Sequence, residues 1–290
     1  MSSTSNNNGR LALILGGNGR FGRAAKRALT AAGWTCKDFN RDSNDLVRSA
    51  QGCQVIINAW NPPYPQWQRQ VPALTQRVIE AGQATGARIV IPANVYVFGN
   101  VGSAWTEQTP FSPRNKLGQV RADMEQAYKT AGVKTLILRA GDFLDTSASG
   151  NWFDQVLVAK QAQKVLTYPG KSDISHSWAY LPDLCQALTQ LLEQDLPHFE
   201  SLHFPGYTLS GQQMARHLHL ELGHMNWLPL RLLSPISPMM RSLLSMRYLW
   251  EHPHQLESTK FDQYLPGFKP TSAAQALSLA ALGARAGQSD

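Results

Sequence analysis

Five consecutive apolar residues, LALIL at 11–15, run straight into GGNGRFG at 16–22. An unbroken apolar run of this length suits a strand buried on both faces. Beyond the glycines, Phe21, Ala24, Ala25, Ala28, Leu29 and Ala32 recur at helical spacing until Gly33 ends the segment. The pattern then repeats. WTCKDFN (34–40) reads as a second strand and QVIINAW (54–60) as the next, with one short helix around 43–51 between them. A helix follows over 66–84, then a strand and its exit loop in RIVIPANVYVFG (88–99), a helix in 113–128, and a strand in KTLILRAGDF (134–143). Such alternation predicts an α/β fold with a doubly wound parallel sheet. The stretch 42–53 is too short for the usual helix, strand and second helix, so the third strand is expected to be short or missing. Lys37 and Asp38 are polar for a buried parallel strand, which puts 34–40 near the sheet edge.

Strand, glycine turn and amphipathic helix together form a dinucleotide site. Gly16, Gly19 and Gly22 fit G-x-x-G-x-x-G, and Gly17, Gly19 and Gly22 fit G-x-G-x-x-G. A turn this tight needs residues without Cβ, so that backbone N–H groups reach a pyrophosphate at the helix N-terminus. Phe21 opens the helix behind it. NAD sites usually carry an acid at the end of the second strand, where it holds the ribose 2′-OH. Here that place is taken by Asn40, followed by Arg41, and Arg20 sits inside the turn. Two guanidiniums suit a 2′-phosphate, so NADP is favoured and NAD stays open. Asn58, Ala59 and Trp60 end the next strand and lead into the Pro-rich loop NPPYPQW, at the end of the sheet where ligands bind.

In order, GGNGRFG, VYVFG, TEQTPFSP, a helix carrying Met124-Glu125, LRAGDF and HSWAYLPDL resemble an atypical extended short-chain dehydrogenase/reductase, of the NAD-dependent epimerase/dehydratase family. The resemblance covers roughly 10–270. It implies a Rossmann domain over 10–141, joined by 175–204, with a smaller C-terminal substrate lobe and closing helix in 142–174 and 205–290. It places the active site in the cleft between the two. Residues 1–9 read as a disordered tail.

Members of that family pair a Tyr and a Lys spaced Y-x-x-x-K with a Ser or Thr after the strand in RIVIPANVYVFG. The Lys cation lowers the Tyr pKa and holds the nicotinamide ribose, and the Tyr exchanges a proton with the substrate. Counted on that frame, the Ser position is Asn94, the Tyr is Leu117 and the Lys is Arg121, while Pro113, Gly118 and Glu125 keep the register. Leu donates no proton, and Arg keeps only a fixed charge. Tyr96 lies two residues beyond Asn94, so in an extended segment the two share a face, which makes Tyr96 the first candidate for proton donor. Lys116, Asp142, His176 and Tyr180 are further candidates for substrate contact. The resemblance implies an NADP-dependent oxidoreductase, or an epimerase/dehydratase relative, acting on a small carbonyl or hydroxyl substrate. The alternative is a decayed NADP(H)-sensing regulator or assembly subunit, similar to NmrA-like proteins.

Composition narrows the classes. The net charge is +7, but the 27 Lys and Arg are spread along the chain, without the clustered basic face of a nucleic-acid binder. No apolar run approaches the ~18 residues of a membrane span. The start, MSSTSNNNGR, has no signal-peptide core, and three scattered cysteines suit neither disulfides nor zinc, so a cytoplasmic protein is expected. The histidines lack the partners for a metal site. A small-molecule substrate is the expected partner, and a homodimer is possible. The segment 228–250 is apolar with arginines at intervals and reads as lobe core, an oligomer face or an apolar substrate wall.

Overall fold

The computed structural model describes residues 9–40 and 45–287. The first half contains β1 (Leu11–Leu15), α1 (Arg20–Ala31), β2 (Thr35–Asp38), α2 (Leu46–Ala50), β3 (Val55–Asn58), α3 (Trp67–Thr85), β4 (Arg88–Ala93), β5 (Ala104–Trp105) and α4 (Lys116–Ala131). Then come β6 (Thr135–Arg139), β7 (Asp142–Leu144), β8 (Val165–Tyr168), β9 (Ser175–Tyr180), α5 (Leu181–Leu191), β10 (Phe199–His203), β11 (Tyr207–Ser210) and α6 (Gly211–Leu218). The chain ends with β12 (Glu221–His224), α7 (Leu228–Leu233), α8 (Pro238–Ser245), β13 (Gln255–Leu256), α9 (Thr259–Tyr264) and α10 (Ala273–Ala286).

Six strands form one parallel sheet in the order β10-β6-β4-β3-β1-β2. Its central strands are apolar on both faces because helices cover both. α1 and α5 pack on one face, and α2, α3 and α4 on the other. β2 is the edge strand and mostly exposed, which accounts for its Lys37 and Asp38. Among the described residues, the connection from β2 to β3 holds the short helix α2 and no strand. Thus the sheet stops at β2, as the spacing predicts. Residues 41–44 lie outside the described residues.

The predicted strand 134–143 breaks in two. β6 ends at Arg139 and β7 begins at Asp142, in a separate sheet β11-β9-β7. At Gly141 the backbone presses against the Ser177 carbonyl so closely that a Cβ has no room, and the chain changes sheets there. A third core cluster fills the C-terminal part, with Phe153, Tyr168, Trp178 and Trp250 all nearly inaccessible. In contrast to a lobe core, α7 and α8 bury none of their residues, and only the stretch after them, Met246 and Tyr248 to Trp250, is buried. Among the described residues, no helix is long and apolar enough to cross a membrane.

One buried ion pair fixes the helix that carries the family frame. Glu125 on α4 accepts from both terminal nitrogens of Arg139 on β6, at 3.1 and 2.5 Å. Both residues are buried, and Arg139 also donates to the Asn94 carbonyl at the exit of β4. Removing one partner strands the other charge in the core. Glu125→Ala is therefore expected to destabilise the fold by about 3–5 kcal/mol in denaturant unfolding. A loss below about 1 kcal/mol would show that water reaches Arg139.

Candidate active site

The glycine turn is closed by its own backbone. Gly16, at φ +77°, lies so near the Ala59 carbonyl that a Cβ would come within 2.8 Å of it. The Gly19 N–H donates to the Gly16 carbonyl at 2.9 Å, and Gly22 packs against that same carbonyl with no space for a Cβ. α1 then starts at Arg20 behind Gly19, with Phe21 buried and no acid in its first turn. Its positive end and free N–H groups suit a pyrophosphate. Asn58 is nearly buried and tied down, its amide donating to the Tyr128 hydroxyl at 3.0 Å and its Oδ1 accepting from the Trp60 N–H at 3.4 Å. Trp60 is buried edge-on to Phe39.

Arg20 departs from the expected pairing with a 2′-phosphate. Its Nε and Nη2 donate to the Ser149 carbonyl at 3.3 and 2.8 Å, linking the turn to the segment after β7. β2 ends at Asp38, two residues short of the Asn40 at which the sequence pattern ends it, so an acid and not Asn40 closes the strand, while Arg41 lies outside the described residues. The acid that does stand beside the turn is Asp38. Its carboxylate occupies the space a Gly17 Cβ would need and is paired with Lys26 of α1.

Leu117 and Arg121 are both buried on α4. Arg121 lies over the Trp67 ring, 4.1 Å from its centroid, and its Nη2 donates to the Asn61 side-chain oxygen at 2.7 Å. Its Nε is buried without a partner. Burial pulls the Arg121 guanidinium below its usual pKa, opposed by the nearby Tyr96, Glu125, Tyr64 and Tyr128. Arginine nevertheless stays a cation.

The segment after β4 is not extended. Tyr96–Phe98 form a single helical turn, so alternation along a strand does not describe Asn94 and Tyr96. Asn94 instead accepts from the Tyr96 N–H at 3.1 Å and caps that turn. The buried Tyr96 hydroxyl meets the half-buried Tyr64 hydroxyl at 2.8 Å. Burial drives the Tyr96 pKa well above the ordinary tyrosine value, helped by Tyr64 and Asp142. Burial also raises Tyr64, while the Tyr96 hydrogen bond, Arg121 and Arg20 pull it down and Asp142 pushes it up. The structure therefore sets the Tyr96 hydroxyl against that of Tyr64, a residue the sequence pattern does not single out, within the field of Arg121, Arg20 and Asp142. Tyr64, Asn61 and Trp67 all come from the Pro-rich loop and the start of α3. Their signal was the aromatic density of NPPYPQW itself.

The remaining candidates divide. Asp142 is partly exposed, with its Oδ2 at 2.8 Å from His176 Nε2. His176 is buried and stacked on Trp250 at 4.2 Å, with its Nδ1 unpartnered, so it can orient Asp142 but is closed to solvent. Tyr180 is buried in the third cluster, where it precedes α5. Lys116 is exposed at the first position of α4.

Residues 68–238 match the RmlD substrate binding domain. The fold is similar to that of MoeE5, solved in complex with UDP-glucuronic acid and NAD, at 16% identity and a TM-score of 0.74, covering 96% of this chain and 99% of that one. It is also similar to UDP-glucuronic acid 4-epimerase from Bacillus cereus, solved with UDP-glucuronic acid and NAD (13% identity, TM-score 0.73, 95% and 99% covered). A third likeness is to dTDP-glucose 4,6-dehydratase from Bacillus anthracis str. Ames, solved in complex with NAD (13% identity, TM-score 0.70, 97% and 98% covered). No curated protein matches the sequence. With more than half of its length matched, and with the parallel sheet, glycine turn and frame helix in place, the chain belongs to the RmlD substrate-binding-domain family, within the NAD-dependent epimerases and dehydratases of the short-chain dehydrogenase/reductase type.

Proposed function

We propose that the protein is a nicotinamide-dinucleotide-dependent oxidoreductase or epimerase/dehydratase in which Tyr96 and Tyr64 replace the family's Tyr as the proton-exchanging group. The observation that carries this reading is the 2.8 Å contact between the two hydroxyls beside the buried Arg121 cation. A nucleotide-linked sugar or other small hydroxyl or carbonyl compound is the proposed substrate, a choice supported by the ligands of the similar structures. The division into a dinucleotide-binding domain and a C-terminal substrate lobe belongs to the same reading.

The residues fit the cofactor. The carbonyl-lined cradle of Gly16, Gly19 and Gly22 and the acid-free start of α1 would hold the diphosphate. Arg121 would hold the nicotinamide ribose with donors left over from Asn61. When bound, the nicotinamide supplies hydride chemistry. Tyr64, half-buried, meets the substrate oxygen, and Tyr96 behind it shares the proton through their hydrogen bond. Arg121 favours the phenolate that forms transiently, whereas Asp142 opposes it. Leu117 keeps water from the place of the missing Tyr. Asp142, held by His176, is positioned to accept a substrate hydroxyl. Asp38, the last residue of β2, stands beside the turn paired with Lys26 and Arg20 is bonded to Ser149, so our assignment of NADP in preference to NAD rests on Arg41.

Leu117 itself favours a second reading, a binding protein that senses NADP(H) without turnover. The two readings separate on Tyr96→Phe. The enzyme reading predicts a fall in turnover of at least about a hundredfold, with the cofactor dissociation constant changed less than about threefold. Tight NADPH binding without turnover in the unmodified protein establishes the sensor instead. Burial raises both phenols above the ordinary tyrosine value, so the proton-donating form persists and turnover in that direction should hold through the range in which a free tyrosine ionises.

The cofactor preference has its own measurement. Arg41→Ala should weaken NADP(H) by roughly tenfold and leave NAD(H) unaffected, as expected for one charge-assisted phosphate contact. An unchanged NADP(H) constant, with NAD(H) binding more tightly, contradicts the assignment.

A further inference from the structure

The pair α7 and α8 is out of keeping with the rest of the molecule. Its sequence, LPLRLLSPISPMMRSLLS, is dominated by Leu, Ile and Met, yet neither helix buries a residue. Leu228 is 55% exposed, Leu232 70%, Leu233 46% and Ile236 81%. Single exposed leucines are ordinary, but four within nine residues on one helical hairpin mark a docking surface. The hairpin is also one-sided in charge. Between Glu221 and Glu251 the chain has no Asp or Glu, while Arg231 and Arg241 stand exposed on the two helices. Arg241 also braces the tip, donating to the Ser234 and Pro235 carbonyls at 3.2 and 2.9 Å.

We infer that this hairpin seats the protein on an anionic lipid surface. Apolar side chains entering the headgroup boundary, with arginines at the phosphate level, make the usual chemistry of an interfacial anchor. The charge argues against a second copy as occupant. A symmetric dimer presents the same patch from both sides, and this patch offers Arg231 and Arg241 twice over with no acid of its own to pair them. The net charge of +7 acts in the same direction, repelling another copy and attracting anionic headgroups.

The anchor adjoins the cleft. α8 packs on the turn Tyr64–Gln66, and the Asn115 amide at the start of α4 donates to the Ser245 carbonyl at 2.9 Å. Docking would therefore bring the mouth of the cleft to the membrane surface. The inference does not depend on how Tyr64 or Tyr96 acts.

The test is co-sedimentation of the full chain with two kinds of vesicle, phosphatidylcholine alone and phosphatidylcholine with about one third phosphatidylglycerol. Binding is expected only to the second, and to weaken as salt rises. The double variant Leu232→Glu, Ile236→Glu should lower partitioning by at least about tenfold. Arg231→Gln should lower it by roughly fivefold. Both changes lie at exposed positions, and circular dichroism of each variant checks that the fold is kept. Absence of binding, or equal binding to both vesicles, overturns the proposal. So does a dimer in sedimentation equilibrium that Ile236→Glu dissociates, which assigns the face to a second copy.

Discussion

The cleft is organised around a cation that is held rather than solvated. Arg121 lies over the Trp67 ring and is bonded to Asn61, so its position is set by the Pro-rich loop as much as by its own helix. A lysine has no planar face to stack and only a compact ammonium, so it would not hold this loop in the same way. That contact also explains why the aromatic residues of 60–67 crowd the site. Trp67 carries the guanidinium and also packs against Tyr64 and Tyr96, so the two phenols are held together beside it.

A second buried arginine sets the frame in which the first one works. Arg139 joins α4 to β6 through Glu125 and reaches the Asn94 carbonyl, so the helix, the strand and the exit of β4 move as one body. Burying such a pair costs desolvation, which good geometry and extra hydrogen bonds offset. The two arginines have different tasks. Arg139 is committed to Glu125 and the Asn94 carbonyl, whereas Arg121, stacked on Trp67, keeps a buried Nε without a partner.

Much of this was legible in the residues. The apolar runs and glycine turn specify the parallel sheet, and the brevity of 42–53 specifies its edge at β2. The register Pro113, Gly118, Glu125 locates Leu117 and Arg121 on the buried face of α4, because helical spacing is rigid. The features that escaped depend on tertiary geometry. Asn94 and Tyr96 do not alternate, because the chain turns at once into a helical turn that Asn94 caps. Tyr64 sits in a loop, where no period constrains a side chain, and only the fold brings it to a residue 32 positions away. The apolar segment 228–245 has core-like composition, and composition does not distinguish a core from a docking face.

The central claim is that the Tyr64–Tyr96 pair beside Arg121 stands where the family's Tyr and Lys act. A crystal structure with NADPH bound tests it most directly. The account predicts that Arg121 holds the nicotinamide ribose. It also predicts that a carbonyl placed against the nicotinamide C4 lies within about 2.6–3.2 Å of the Tyr64 or Tyr96 hydroxyl. A nicotinamide whose C4 faces Leu117, with both hydroxyls out of hydrogen-bond reach, would contradict it.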